Sequence, residues 1–241
     1  MNGARARKRQ VILLWSASAC NSGASWVMLV TIFVYVLHNF SASTLALVEL
    51  AGTLPALLWM PFAGAFAGRH NVRSLAVGSM AVQALSLLGL LVMLRTGPWG
   101  IAACCGLQGA ANSMWFPARQ RWLYGLIVDG PGRAAANAAI GSVSGITTIA
   151  GAALGGALSS WSTTGALAIA AGLQFAATLP LFALARPPSK PDAGTGAVRR
   201  PLRTDLAEGF TALRYLPLAR SVIWIGIAWG FIGGAYNILL A

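Results

Sequence analysis

Acidic residues are the scarcest feature of this chain. It has 5 Asp and Glu against 17 Lys and Arg in 241 residues, and only 9% of its residues are charged. A soluble domain carries about 25% charged residues, and a larger core does not remove the need for a polar surface, so a soluble fold is excluded. The few acids also leave no paired carboxylates inside an apolar segment. The 2 histidines, His38 and His70, fall at loops rather than beside a nucleophile. The 3 cysteines, Cys20, Cys104 and Cys105, sit within apolar blocks; their spacing fits no zinc or redox motif, and adjacent cysteines seldom bridge. No Gly-x-x-x-x-Gly-Lys-[Ser/Thr] loop occurs, which excludes nucleotide-driven work within the chain. No metal and no cofactor are expected.

What is present in abundance is apolar sequence: 57% of residues are hydrophobic. They come in blocks of about 20, the length that crosses about 30 Å of hydrocarbon as a helix. This is the pattern of an all-α, multi-pass membrane protein whose first partner is the lipid bilayer. Candidate spans run over 11–37, 44–67, 74–94, 98–118, 136–160, 164–185 and 221–241. The first block is too long for a signal-peptide core. The net charge of +12 does not indicate nucleic acid, because the basic residues form short clusters between apolar blocks rather than one basic face. With the N-terminus placed inside, every one of the 17 Lys and Arg except Arg95 falls in a cytoplasmic segment, the bias that sets orientation in membrane proteins. The expected organisation is a six-helix bundle over 1–185, a cytoplasmic linker over 186–220, and a seventh span. In the linker a Pro/Gly-rich basic stretch precedes an amphipathic helix, with Thr204 as its cap and Leu206, Phe210, Leu213 and Leu216 at helical spacing. The seventh span ends with the chain, so a second half of the same protein is expected to be missing.

Four motifs carry a family resemblance. "GAFAGRHNVR", Gly64–Arg73, follows the second span; "WFPARQ", Trp115–Gln120, ends the fourth; "GAALGG", Gly151–Gly156, lies in the fifth; "DLAEGFTALRYLP", Asp205–Pro217, lies in the linker. In order and spacing they resemble the major facilitator superfamily of secondary transporters. More narrowly they resemble its drug- and siderophore-exporting branch, of the macrolide efflux and transmembrane secretion effector type. The family's loop signature reads roughly Gly-x-x-x-Asp-Arg-x-Gly-Arg-Arg. Gly64, Arg69 and Arg73 keep their places, Gly68 stands at the acidic position, and Asn71 replaces the second glycine, where it is expected to take a left-handed turn. In the family that carboxylate helps latch two six-helix halves together on the cytoplasmic side. Ala152 stands at the proline of the family's fifth-helix antiporter motif, which includes Gly151, Gly155 and Gly156.

The resemblance implies alternating access, a cavity lined by the first, second, fourth and fifth helices, and residence in the plasma membrane, the inner membrane of a bacterium. Against that frame, Glu49 is the one acid inside a span, about 8 Å from its outer end. Buried charge is costly, so it is either the proton-coupling carboxylate or a group reaching the outer water layer. Ser18, Asn21, Ser22 and Ser25 share one face of the first span, with Asn21 and Ser25 the cavity candidates. Gln108, Asn112, Trp115 and Arg119 form a second stripe on the fourth, its first three members being cavity candidates and Arg119 a snorkelling or capping residue. Small-residue packing is the alternative for these faces. The pairs Gly141/Gly145 and Gly151/Gly155 permit close helix approach, and Tyr236 and Asn237 are contacts expected from the second half.

The reading is a secondary transporter, not an enzyme, that exports a small amphipathic compound against entering protons. A non-transporting scaffold is the alternative; short loops and polar stripes argue against it. An intramembrane enzyme is a remoter one. "GSVSG", 141–145, loosely resembles a rhomboid-type serine site, but Ser142 stands where glycine is needed and no histidine lies at depth.

Overall fold

A computed structural model describes residues 2–127 and 130–184, together with Thr204, Thr211, Tyr215–Pro217, Arg220, Ser221, Trp224, Ile225 and Ala228. Asp129, most of the linker over 186–220, and Tyr236 and Asn237 with most of the segment 221–241 lie outside the described residues. The chain divides into two units, Met1–Ser189 and Lys190–Ala241. In the second, local turn bonds are made by the Arg220 N–H to the Leu216 carbonyl and by Ser221 Oγ to the Pro217 carbonyl.

The first unit is all helix: α1 (Asn2–Asn39), α2 (Ala42–Arg69), α3 (Val72–Met93), α4 (Pro98–Leu126), α5 (Gly130–Trp161) and α6 (Thr163–Ala183). Five are long and apolar enough to cross a membrane; α4 falls short because Gln108, Asn112, Ser113 and its arginines lower its hydropathy. Short polar caps set the boundaries. Ser41 accepts from the Thr44 N–H and starts α2. Ser162 accepts from the Gly165 N–H and starts α6. Gly97, at φ 103°, turns the chain into Pro98 at the first turn of α4, where a missing N–H does no harm.

The loop after α2 corrects one expectation. Asn71 does not adopt a left-handed turn: it sits at φ −64°, ψ 120° and caps α3, its Oδ1 accepting from the Arg73 N–H at 2.9 Å. A helix start needs an extended residue whose side chain takes an orphan N–H, and Asn supplies that directly. The opposite end of α3 meets α1, where Tyr35 Oη donates to the Leu94 carbonyl at 2.7 Å.

The packing has an internal two-fold logic. Helix α2 packs on α4 as α5 packs on α1; α3 packs on α4 as α6 packs on α1; α3 and α6 meet each other. Exchanging α1–α3 with α4–α6 therefore maps these principal contacts onto one another, although the smaller α5–α6 contact has no α2–α3 counterpart of like extent. Glycine makes the two equivalent close contacts. A Cβ on Gly151 would lie 3.0 Å from the Gly23 carbonyl oxygen, and one on Gly155 2.9 Å from that of Val27, so α5 rests on the α1 backbone. A Cβ on Gly106 would lie 2.9 Å from the Ala51 carbonyl oxygen, and one on Gly109 would press into that of Gly52, so α4 rests on α2. Pro55 withholds the N–H that would otherwise bond the Ala51 carbonyl. The glycines let backbones meet where a methyl would not fit.

Two apolar cores fill the bundle. One gathers Leu14, Met80, Trp115, Trp122 and Leu181; the other gathers Val27, Ile32, Leu87, Ile101 and Leu167. Between them α3 and α6 each bury a fully enclosed glutamine, Gln83 and Gln174. Each stands eleven residues after the first residue of its helix.

Candidate functional site

On the open side of α1, α2 and α4 lies a cavity of about 420 Å³, within the usual range of small-molecule sites, about 300–1,000 Å³. Helix α1 lines it with Ser25, Met28, Leu29 and Ile32; α2 with Val48, Glu49, Gly52, Thr53, Ala56 and Met60; α4 with Cys105, Gln108, Gly109, Asn112, Ser113 and Phe116. The walls are mainly apolar, with a few converging polar groups. Glu49 is half-buried there and is the only carboxylate among the described residues. Ser25 Oγ has no hydrogen-bond partner among the described residues.

The α4 stripe needs rotating relative to its expected placement. Cys105, Gly109, Asn112 and Phe116 line the cavity, whereas Trp115, 3% exposed, is packed in the core with Leu14, Met80 and Trp122. Each residue turns the helix by about 100°. Residues 105, 109, 112 and 116 therefore hold one narrow face, and Trp115 falls about 100° behind Phe116, toward the rear of the bundle. The aromatic group at the cavity is Phe116. The half-buried Arg119 guanidinium lies over the Phe116 ring, 5.1 Å from its centroid, and its Nε has no hydrogen-bond partner among the described residues.

Behind the cavity runs a polar layer. Ser86 Oγ donates to Gln108 Oε1, and Gln108 Nε2 donates to Gln83 Oε1 at 3.4 Å. The Gln108 carboxamide is thereby turned to α3, although its residue lines the cavity. On the other side Gln174 Nε2 donates to Asn21 Oδ1 at 3.0 Å, and Asn21 Nδ2 donates to Asn112 Oδ1 at 3.5 Å. Asn21 is buried and reaches the cavity only through Asn112, which is exposed. Elsewhere on the α1 polar face, Ser18 Oγ donates to the Leu14 carbonyl at 2.8 Å.

The loop and helix-packing motifs separate. Arg73 Nη2 donates to the Phe182 carbonyl at 2.8 Å, a cation at the C-terminal end of α6 where the helix dipole favours one. Arg69, Gly64 and Gly68 are exposed, and neither glycine has an atom within 4 Å of an added Cβ. The same holds for Gly141 and Gly145, while Gly151 and Gly155 are pressed against α1 and Gly156 lies at ordinary contact with Val30.

Gln83 and Gln174 were missed by pattern reading. The signal was available: a lone amide in a long apolar helix must find hydrogen bonds, because an unpaired buried one costs about 1–3 kcal/mol. The residues brought together at the cavity are thus Ser25, Glu49, Gln108 and Asn112, with Asn21 behind them. A family model, that of the Major Facilitator Superfamily, matches residues 14–241. No curated protein matches the chain.

Proposed function

The chain belongs to the Major Facilitator Superfamily, a family of multi-pass membrane transporters, and from that premise we propose that it is a proton-coupled exporter of small amphipathic compounds. It belongs, in this reading, to the drug- and siderophore-exporting branch and works by alternating access. The observation that carries the proposal is the cavity: one carboxylate, Glu49, among apolar walls that include Met28, Ile32, Met60 and Phe116. A single acid with no basic group among the lining residues favours a substrate that pairs a hydrophobic body with a positive charge. Proton and substrate would then compete for the same carboxylate, which couples their movements without further machinery.

The distribution of charge supports one orientation. Successive helices cross in alternate directions, so the α2–α3 and α4–α5 connections and the start of α1 share one face, and that face carries Arg7, Lys8, Arg9, Arg69, Arg73 and Arg133. It is the cytoplasmic face of the plasma membrane in this proposal. In this proposal residues 186–220 are a cytoplasmic linker and 221–241 a seventh span.

The test is proton flux in proteoliposomes carrying a pH gradient, with tetraphenylphosphonium as the probe cation. With the full-length protein, both halves present, the wild type gives probe-dependent proton movement, and Glu49→Gln abolishes it while leaving expression intact. Undiminished flux in Glu49→Gln removes this carboxylate from the mechanism, and no flux in the wild type removes the exporter reading.

A further inference from the structure

Three amides and one sulfur form a directed line across the bundle. It starts in α3 at the buried Met80, passes through the fully buried Gln174 of α6 and the buried Asn21 of α1, and ends at the exposed Asn112 of α4, on the cavity wall. Gln174 Nε2 lies 3.1 Å from Met80 Sδ and 3.0 Å from Asn21 Oδ1; Asn21 Nδ2 lies 3.5 Å from Asn112 Oδ1.

The direction of this line follows from chemistry. A thioether sulfur accepts a hydrogen bond and has none to give, while a carboxamide has two donors on one side and an acceptor on the other. Met80 therefore takes the NH₂ side of Gln174. The reversed amide would set a carbonyl oxygen against the sulfur lone pairs and leave two buried N–H groups in place of the one acceptor, Oε1, that lacks a partner among the described residues. With the Gln174 NH₂ spent on Met80 and Asn21, Asn21 must present its oxygen to Gln174, and its own NH₂ is left to face α4. Asn112 answers with its oxygen. Its NH₂ is then the group free to point into the cavity.

We propose that Met80, Gln174 and Asn21 are positioning residues that fix Asn112 as a hydrogen-bond donor in the cavity, and that the site selects lipophilic cations bearing a hydrogen-bond acceptor beside the charge. The selectivity part rests on the cavity being the substrate site, as proposed above. Glu49 holds the charge, Asn112 reads the acceptor, and the reading is enforced from the rear of the bundle, across three helices. Because Asn112 is held by its oxygen alone, rotation of its amide to offer an acceptor would break its bond to Asn21 and leave two like atoms facing each other.

Two measurements on the purified chain in detergent test this. The first is equilibrium binding of tetraphenylphosphonium, which has no acceptor, and of its 4-acetylphenyl analogue, which adds one ketone. The wild type binds the ketone more tightly, by about three- to tenfold for one neutral hydrogen bond. Asn112→Leu and Asn112→Asp abolish the preference, and Met80→Leu, of similar volume but without the sulfur acceptor, reduces it. A preference unchanged in Met80→Leu overturns the role of the sulfur, and one unchanged in Asn112→Leu overturns the role of Asn112.

The second measurement is thermal unfolding, which needs no ligand. Asp keeps the oxygen that Asn21 donates to, so Asn112→Asp retains the wild-type Tm, while Asn112→Leu lowers it. Equal losses in both variants mean that Asn112 donates to Asn21, and the direction of the line is overturned. Failure of the wild type to bind either cation overturns the cavity reading and the selectivity with it; the order of the two Tm values still decides the direction of the line.

Discussion

Gly109 offers the sharpest test of how α2 and α4 are held together. A Cβ there would press into the Gly52 carbonyl oxygen, lie 3.1 Å from its carbon and 3.5 Å from Ala56 Cβ. The obstacle is backbone on the α2 side, and the new methyl has no rotamer by which to avoid it. Gly109→Ala must therefore push the helices apart along the cavity wall. Overpacking of this kind costs about 1–3 kcal/mol. Replacing glycine by alanine within a helix returns about 0.5–1 kcal/mol, so the expected net loss is up to about 2 kcal/mol. At about 2–4 °C per kcal/mol for a chain of this size, Tm falls by several degrees. Gly145→Ala is the control. It makes the same chemical change where no described residue lies within 4 Å of the added methyl, so only the helix term remains and Tm rises by about 1–4 °C. Differential scanning fluorimetry of the detergent-solubilised chain reads both. A Gly109→Ala variant as stable as Gly145→Ala would refute the view that the α2–α4 contact is made backbone to backbone.

Asn71→Ala removes the cap of α3 and is expected to cost about 1 kcal/mol, seen as a Tm lowered by a few degrees; Asn71→Ser restores most of it, and an unchanged Tm in the alanine variant would deny the cap its role. In a background with Cys20, Cys104 and Cys105 replaced by alanine, Phe116→Cys is expected to react rapidly with a membrane-impermeant maleimide in detergent, and Trp115→Cys slowly. Equal rates would contradict the placement of Trp115 in the core.

The all-helical membrane class and the family were legible because each depends on properties that survive without coordinates. Apolar blocks have a length, and motifs have an order along the chain. Helical periodicity was equally useful for saying that Gln108 and Asn112 lie near one face, but it could not say which neighbour that face meets. Trp115 and Phe116 show the limit: they are adjacent in sequence and about 100° apart on the helix, so one enters the core and the other the cavity. Gly141/Gly145 and Gly151/Gly155 carry the same spacing, yet only the second pair meets another helix, because α1 crosses α5 there. Gly52, Gly106 and Gly109 make an equally close contact without any four-residue repeat between them.

Composition alone requires this chain to bury its backbone polar groups in helices that span a bilayer, since residues so poor in charge and so rich in apolar blocks have no soluble alternative. The roles of Gln83 and Gln174 depend instead on how the helices pack. A lone amide states a need for partners and not their identity. Those partners, Gln108 in one case and Asn21 with Met80 in the other, lie on different helices, 25 to 153 positions away in sequence. Hydrogen bonds act over about 3 Å, so only the packing of the helices could bring such groups together.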